Sequence, residues 1–173
     1  MEVTNIPLLI AWLRTGRVDA CLVPFPIDDT EDLAIEPLID EDCVIVLPRG
    51  HPLANSASTP LASLAKETFV LWNRGFNPDT YDSILAACTR VGFAPKIGQG
   101  APQVVTVMPL VAAGFGISIV PRSFSELHVP DVTYIDIEED APRSAIVLAF
   151  RRDERSAAIK NVMKVARLAK LTA

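Results

Sequence analysis

The sequence predicts an α/β protein with mostly parallel strands, on three observations. Helices and nearly all-apolar strands alternate along most of the chain, as where VDACLV (18–23) follows a helix and a short turn. Capping residues and glycines stand where those elements should start and stop. The texture then changes near residue 132, where two strands and one long amphipathic helix close the chain. The pattern fits a chain that crosses between two lobes.

The elements can be justified in order. Thr4 or Asn5 can cap a first helix, Pro7 suits its first turn, Leu8, Leu9, Trp12 and Leu13 share a face, and Gly16 stops it. Val18 to Val23 and Asp42 to Leu47 read as strands, the second ended by the loop Pro48-Arg49-Gly50-His51-Pro52. A short helix at Leu61–Lys66 and a strand at Thr68–Trp72 follow. Asn77-Pro78-Asp79 opens the clearest helix: an Asn cap, proline at the first helical position and an acid in the first turn. Tyr81, Ile84, Leu85, Cys88 and Val91 recur at helical spacing before Gly92. A short strand near Pro95–Gln99 leads to a helix over Pro102–Ala113, which Pro109 should kink by deleting a backbone bond. Gly116–Val120, Val132–Ile137 and Ala145–Phe150 read as strands. The last helix spans about Asp153–Lys170, with Ile159, Val162, Met163 and Ala166 inward and Lys160, Lys164 and Arg167 outward.

Composition bounds the function. At roughly 150 residues per domain, 173 residues make one domain or two small lobes, and half of them are hydrophobic with 21% charged. Disordered, collagen-like and disulfide-scaffolded classes are excluded. Lys and Arg total 16 against 21 Asp and Glu, a net charge of -5, so the chain by itself is a poor nucleic-acid binder. Cys21, Cys43 and Cys88 are widely spaced, form no CxxC pair and sit in apolar runs, which suits buried thiols in a reducing compartment. No long uncharged stretch suggests a membrane span, and the N-terminus lacks the basic region and cleavage site of a secretory signal, so a cytoplasmic location is expected.

The chemistry-bearing residues form no catalytic constellation. His51 and His128 are the two histidines, and neither has a Cys, His or carboxylate at ligand spacing, so no metal and no other cofactor is expected. Asp28-Asp29, Glu31-Asp32, Asp40-Glu41-Asp42 and Glu138-Glu139-Asp140 sit at predicted turns and read as solvated charge. Gly98-Gln99-Gly100-Ala101-Pro102 has the wrong spacing for a phosphate loop. The basic tail from Arg151 to Lys170 reads as a solvated helix face. The capped helix starts at Thr4-Asn5 and Asn77-Pro78-Asp79 are the features that suggest a ligand, since free helix N–H groups favour anions. Composition and spacing thus point to a binder rather than an enzyme.

Three motifs carry a family resemblance. Leu13-Arg14-Thr15-Gly16-Arg17-Val18-Asp19-Ala20 resembles the L-x-x-G-x-x-D segment of LysR-type transcriptional regulators. Pro37-Leu38-Ile39, Glu41-Asp42-Cys43-Val44 and Gly50-His51-Pro52-Leu53-Ala54 resemble the family's hinge segment, which ends in gHPLA. Gly92-Phe93-Ala94-Pro95 and the run Leu110 to Pro121 (LVAAGFGISIVP) resemble its GfxP…LVaaGxGisivP. The resemblance spans nearly the whole chain and thins toward the end.

It implies a two-lobed, periplasmic-binding-protein-like (type 2) effector-binding domain whose first lobe is incomplete. Residues 1–48 and 139–173 would form that first lobe and 49–138 the second, with the family's winged helix-turn-helix and the domain's opening strand and helix absent. A small, anionic, carboxylate-type effector would sit in the cleft, and DNA would be reached only through the absent N-terminal domain, in a homodimer or homotetramer with no membrane role. Carried over position by position, the effector contacts are Thr4, Pro24, Phe25, Asn77, Pro78, Thr80 and Arg143. Gly100, where the family often has an acid, and Pro109 depart from its pattern. Two other classes stay open: the solute-binding protein of a transporter, with the same fold but a secretion signal, and a small enzyme pairing a cysteine with a distant histidine.

Overall fold

The computed structural model describes residues 6–153 and 156–170, with side chains through residue 165. In chain order the elements are α1 (Ile6–Arg14), β1 (Ala20–Phe25), β2 (Leu33–Pro48), β3 (Ser58–Thr59), β4 (Thr68–Trp72), α2 (Pro78–Arg90), β5 (Lys96–Ala101), α3 (Val107–Ala112), β6 (Ser118–Pro121), β7 (Val132–Ile137), β8 (Arg143–Arg151) and α4 (Ala157–Lys170). They divide into two compact units, residues 1–40 with 145–173, and residues 41–144. The boundaries lie inside the strands β2 and β8 rather than at 48/49 and 138/139. Cys43, Val44, Ile45, Val46 and Leu47 are all core residues of the second unit, so the burial of that run sets the boundary on its N-terminal side.

In the first unit β1 pairs antiparallel with β8, from Ala20 opposite Phe150 to Phe25 opposite Ala145, and β8 lies between β1 and β2. One face of these strands packs on α1 through Ile10, Leu13, Cys21, Val23, Leu33, Val147 and Ala149. The inward residues of α1 are therefore Ile10 and Leu13, while Leu8, expected on the inner face, is 39% exposed. Gly16 takes φ 74° just past the helix, and Arg151 donates from Nη1 to the carbonyls of Leu13 and Val18 at 2.8 Å each. A side chain of β8 thus ties the last turn of α1 to the loop that leads into β1. In α4 Ile159 is buried, but Val162, expected inward, is 46% exposed. The side chains of Ala166 and Arg167 lie outside the described residues.

In the second unit β2 pairs antiparallel with β6 on one side and β7 on the other, and β3 joins β7 in parallel. Strands β4 and β5 form a parallel pair, tied to β6 by a parallel bridge between Phe69 and Ile117. The expected mostly parallel pairing holds for β3, β4 and β5. The antiparallel pairs involve β2, which carries the chain from one unit into the other, and strands of the return path, which run the opposite way. The strand expected from Asp42 begins at Leu33 instead, and the Asp40-Glu41-Asp42 cluster, expected at a turn, lies inside it. These residues are extended all the same, because strand pairing rather than local propensity decides there.

Pro109 does not kink a long helix. A 3-10 turn at Val104–Thr106 precedes α3, so Pro109 is the third residue of α3, in its first turn, where an amide lacks an intrahelical partner in any case. After α3, the chain turns at Gly114 (φ 80°) and Gly116 (φ 147°). A Cβ on Gly116 would stand 2.2 Å from the carbonyl oxygen of Thr68. This close approach lets Val70 donate to Ile117 O at 2.8 Å and Ile117 donate to Thr68 O at 2.9 Å. Gly116→Ala should therefore lower stability by about 2–3 kcal/mol through overpacking and backbone strain. Urea unfolding followed by far-UV circular dichroism checks this, with a lower midpoint and an unchanged slope.

Candidate functional site

The first turn of α2 is built as its sequence suggests. Asn77 accepts the Thr80 amide on Oδ1 at 3.3 Å, and Pro78 follows at the first helical position. The carbonyl of Asn77 also accepts the indole N–H of Trp72 at 3.4 Å, fixing the helix start to the end of β4. The Thr80 hydroxyl meets Ser144 Oγ at 3.2 Å, and both residues are under 5% exposed (3% and 4%). Ser83 donates to Thr80 O at 2.9 Å and to Arg143 O at 3.5 Å. Arg143 in turn holds Asp42 at 2.6 Å, and Cys43 N–H donates to Pro142 O at 2.8 Å.

Four of the expected contact residues are thus placed around one structure within the second unit. Asn77, Pro78 and Thr80 form the helix start, and Arg143 reaches it through its own backbone and Ser83. The Thr80 amide and hydroxyl are both engaged inside the protein, by Asn77 and Ser144. Pro24 and Phe25 end β1 in the first unit, opposite Ile146 and Ala145, with the Phe25 ring 45% exposed. Thr4 lies outside the described residues.

Among the described residues, two depressions on the second unit stand out. The first, about 430 Å3, lies at the carboxyl ends of β4 and β5, beside the start of α2. Trp72, Arg74, Tyr81, Ile97, Gly100 and Pro102 are among its lining residues, and among the described residues Arg74 is the sole charged side chain in the lining. The Trp72 and Tyr81 rings meet edge to face at 6.3 Å. Arg74 stands on a 3-10 turn, Arg74–Phe76, which Asn73 caps by accepting the Gly75 amide at 2.9 Å. From there Arg74 Nε and Nη2 bind the two oxygens of Asp82 at 2.7 and 2.5 Å. The hydrogen bond from Arg74 holds the Asp82 carboxyl below its ordinary range.

The second depression, about 560 Å3, is lined by Asp42, Asp136, Glu139 and Asp140 with Arg122 and Arg143. Each arginine is already paired, Arg122 with Asp136 at 2.8 Å and Arg143 with Asp42, so this surface carries net negative charge. Sequence reading missed Trp72, Arg74, Tyr81 and Gly100 as a group. The signal is faint, because the 3-10 turn that folds Arg74 back toward α2 follows no hydrophobic period; the Asx-type cap at Asn73 is its one local mark.

The remaining candidates have structural roles. His51 accepts the Leu53 amide on Nδ1 at 3.2 Å and places Nε2 3.5 Å from Glu67, closing the loop after β2. His128 ends a 3-10 turn at φ 49°. Among the described residues no three His, Cys, Asp or Glu side chains converge as a metal site would. Nor is any described helix long and apolar enough to cross a membrane. All three cysteines are buried and unpaired. Burial, reinforced by Glu41 and Asp42, pushes the Cys43 thiol up to about 12, and burial pushes Cys88 to about 11 and raises Cys21.

These thiols link stability to pH. An unfolded thiol ionises near 8.5, whereas a buried one keeps its proton, so the unfolded state is favoured as pH rises above 8.5. Cys43→Ala should flatten that decline by up to about 1.4 kcal/mol per pH unit. Urea titrations at pH 7.5, 8.5 and 9.5 measure it. A disulfide reagent at pH 8 should react slowly with the native wild type and at once in urea.

A chain that builds one α/β unit, passes through a long strand into a second and returns to the first has the periplasmic-binding-protein-like (type 2) fold. The family model described as LysR substrate binding domain matches residues 1–169, and the chain belongs to that family. It is 32% identical over 162 residues to the HTH-type transcriptional regulator CatR of Pseudomonas putida, covering 94% of this chain and 55% of CatR. It is 31% identical over 153 residues to the HTH-type transcriptional regulator AlsR of Bacillus subtilis, covering 88% of this chain and 50% of AlsR. The chain spans about half the length of the curated relatives it matches. The solved effector-binding domain of BenM with its effector benzoate superposes with a TM-score of 0.82 at 23% identity, covering 98% of this chain and 77% of that one.

Proposed function

We propose that the chain is the effector-sensing part of a transcriptional regulator, acting by binding and not by catalysis. The observation that carries this reading is the depression at the carboxyl ends of β4 and β5 beside a capped helix start, where ligands of open α/β sheets bind. Its volume suits a small metabolite, and membership of the LysR substrate binding domain family supports a sensing role. The effector is a small carboxylate of the kind BenM takes in benzoate. The family resemblance assigns its contacts to Asn77, Pro78, Thr80 and Arg143 on the second unit and to Thr4, Pro24 and Phe25 on the first.

Binding shifts the balance between conformations of the domain by its differential affinity for them, and the whole protein reads DNA through a separate domain, in the cytoplasm, as a homodimer or homotetramer. The enzyme alternative is disfavoured by cysteines that are buried and held protonated, and by histidines bonded into loops.

Calorimetric titration of the chain with benzoate, phenylacetate and succinate tests the reading. At least one should bind, and Thr80→Ala should weaken it about tenfold, the size of one charge-assisted hydrogen bond. The far-UV spectrum should be unchanged. Absence of binding by all three, or equal affinity in Thr80→Ala, overturns it.

A further inference from the structure

We propose that Arg74 is the specificity-determining cation of the sensing site, selecting ligands that carry a carboxylate on a flat apolar body. The proposal rests on the sensing reading above and assigns the group that reads the ligand's charge. Arg143, the cation supplied by the family resemblance, lines the depression where Asp42, Asp136, Glu139 and Asp140 outnumber two arginines. A carboxylate entering there meets like charge. Arg74 lines the other depression, where no further charged side chain among the described residues contributes to the wall.

The geometry also leaves Arg74 able to act. A guanidinium has five N–H donors in a rigid plane. Asp82 takes one from Nε and one from Nη2, so three remain, including both on Nη1. The bidentate grip fixes the plane of the group before any ligand arrives, and such orientation lowers the entropy lost on binding. Asp82 is thus a positioning residue, and its low pKa keeps it ionised and holding Arg74 throughout the physiological range. Because the pair is close to neutral, discrimination comes from directional N–H donors rather than from a diffuse field.

The walls define the rest of the ligand. Leu71, Trp72 and Ala101 are 1%, 2% and 3% exposed and form a rigid apolar floor. Tyr81, locked edge to face on Trp72, and Ile97, 42% exposed, give apolar sides. Gly100 contributes no side chain to the space. A planar ring with one carboxylate fits these surfaces and places its charge at Arg74.

The test compares benzoate with its neutral analogue benzamide on the 173-residue chain by calorimetry. Wild type should prefer benzoate by at least tenfold. Arg74→Ala should lower benzoate affinity between about tenfold and a hundredfold while changing benzamide affinity less than about threefold. Arg74→Lys, which keeps the charge but loses the planar fork, should fall between the two. Equal losses for both ligands would mean that Arg74 only supports the fold, and unchanged benzoate affinity would mean that it does not touch the ligand; either overturns the proposal. Binding of neither ligand by wild type overturns the benzoate-like effector reading together with this inference, and is thereby distinct from failure of Arg74 alone.

Discussion

The second unit depends on one close approach, between the backbone of Gly116 and the carbonyl of Thr68. With a Cβ at that position only 2.2 Å from the oxygen, no other residue lets the turn before β6 lie against the start of β4. Once there, Ile117 exchanges backbone hydrogen bonds with Thr68 and Val70, and the buried Ser118 hydroxyl donates to Val70 O at 2.7 Å. These bonds join the β4–β5 pair to the strands β6, β2, β7 and β3. The core that forms around them takes in Phe69, Leu71, Trp72, Ile84, Met108 and Ile119. Without that junction, β4 would have only β5 beside it, and a two-stranded sheet is marginal alone.

The site follows from the same junction. Strand β4 delivers Leu71 and Trp72 to the floor of the smaller depression, and the Trp72 indole ties the floor to the carbonyl of Asn77 at the start of α2. The turn between them has four residues beyond the strand, too few to wander, so Arg74 must stand at the rim. Charge is then divided between the two depressions: one has a single guanidinium held by Asp82, the other a surplus of acids around two arginines already paired. The two surfaces therefore favour ligands of opposite character, although they are parts of one unit.

Much of the fold was legible because local chemistry and tertiary packing agree. Strand β4 and strand β7 have the bounds that apolar β-rich runs suggest, and α2 runs from Pro78 after an Asn cap to a stop at Gly92 (φ 93°). Where the two disagreed, packing decided. Leu8 and Ile10 are equally apolar, and only the placement of β1 and β8 beside α1 chooses Ile10 as the buried one. Val162 is spaced for burial in α4 yet is 46% exposed, whereas Ile159 is 6% exposed. The acid-rich, proline-containing start of β2 carries the marks of a turn, yet pairing holds it extended.

The sequence by itself determined the alternation of helices and strands, the caps and stops, the buried cysteines and the LysR-type motifs, because each is written in residues adjacent along the chain. Only the tertiary structure decided which side chains meet. Thr80 and Ser144 are 64 residues apart, and Arg143 and Asp42 are 101 apart, so no periodicity could pair them. The same holds for the depression that gathers Trp72, Arg74 and Gly100, because the parallel pairing of β4 with β5 brings together segments distant in the chain.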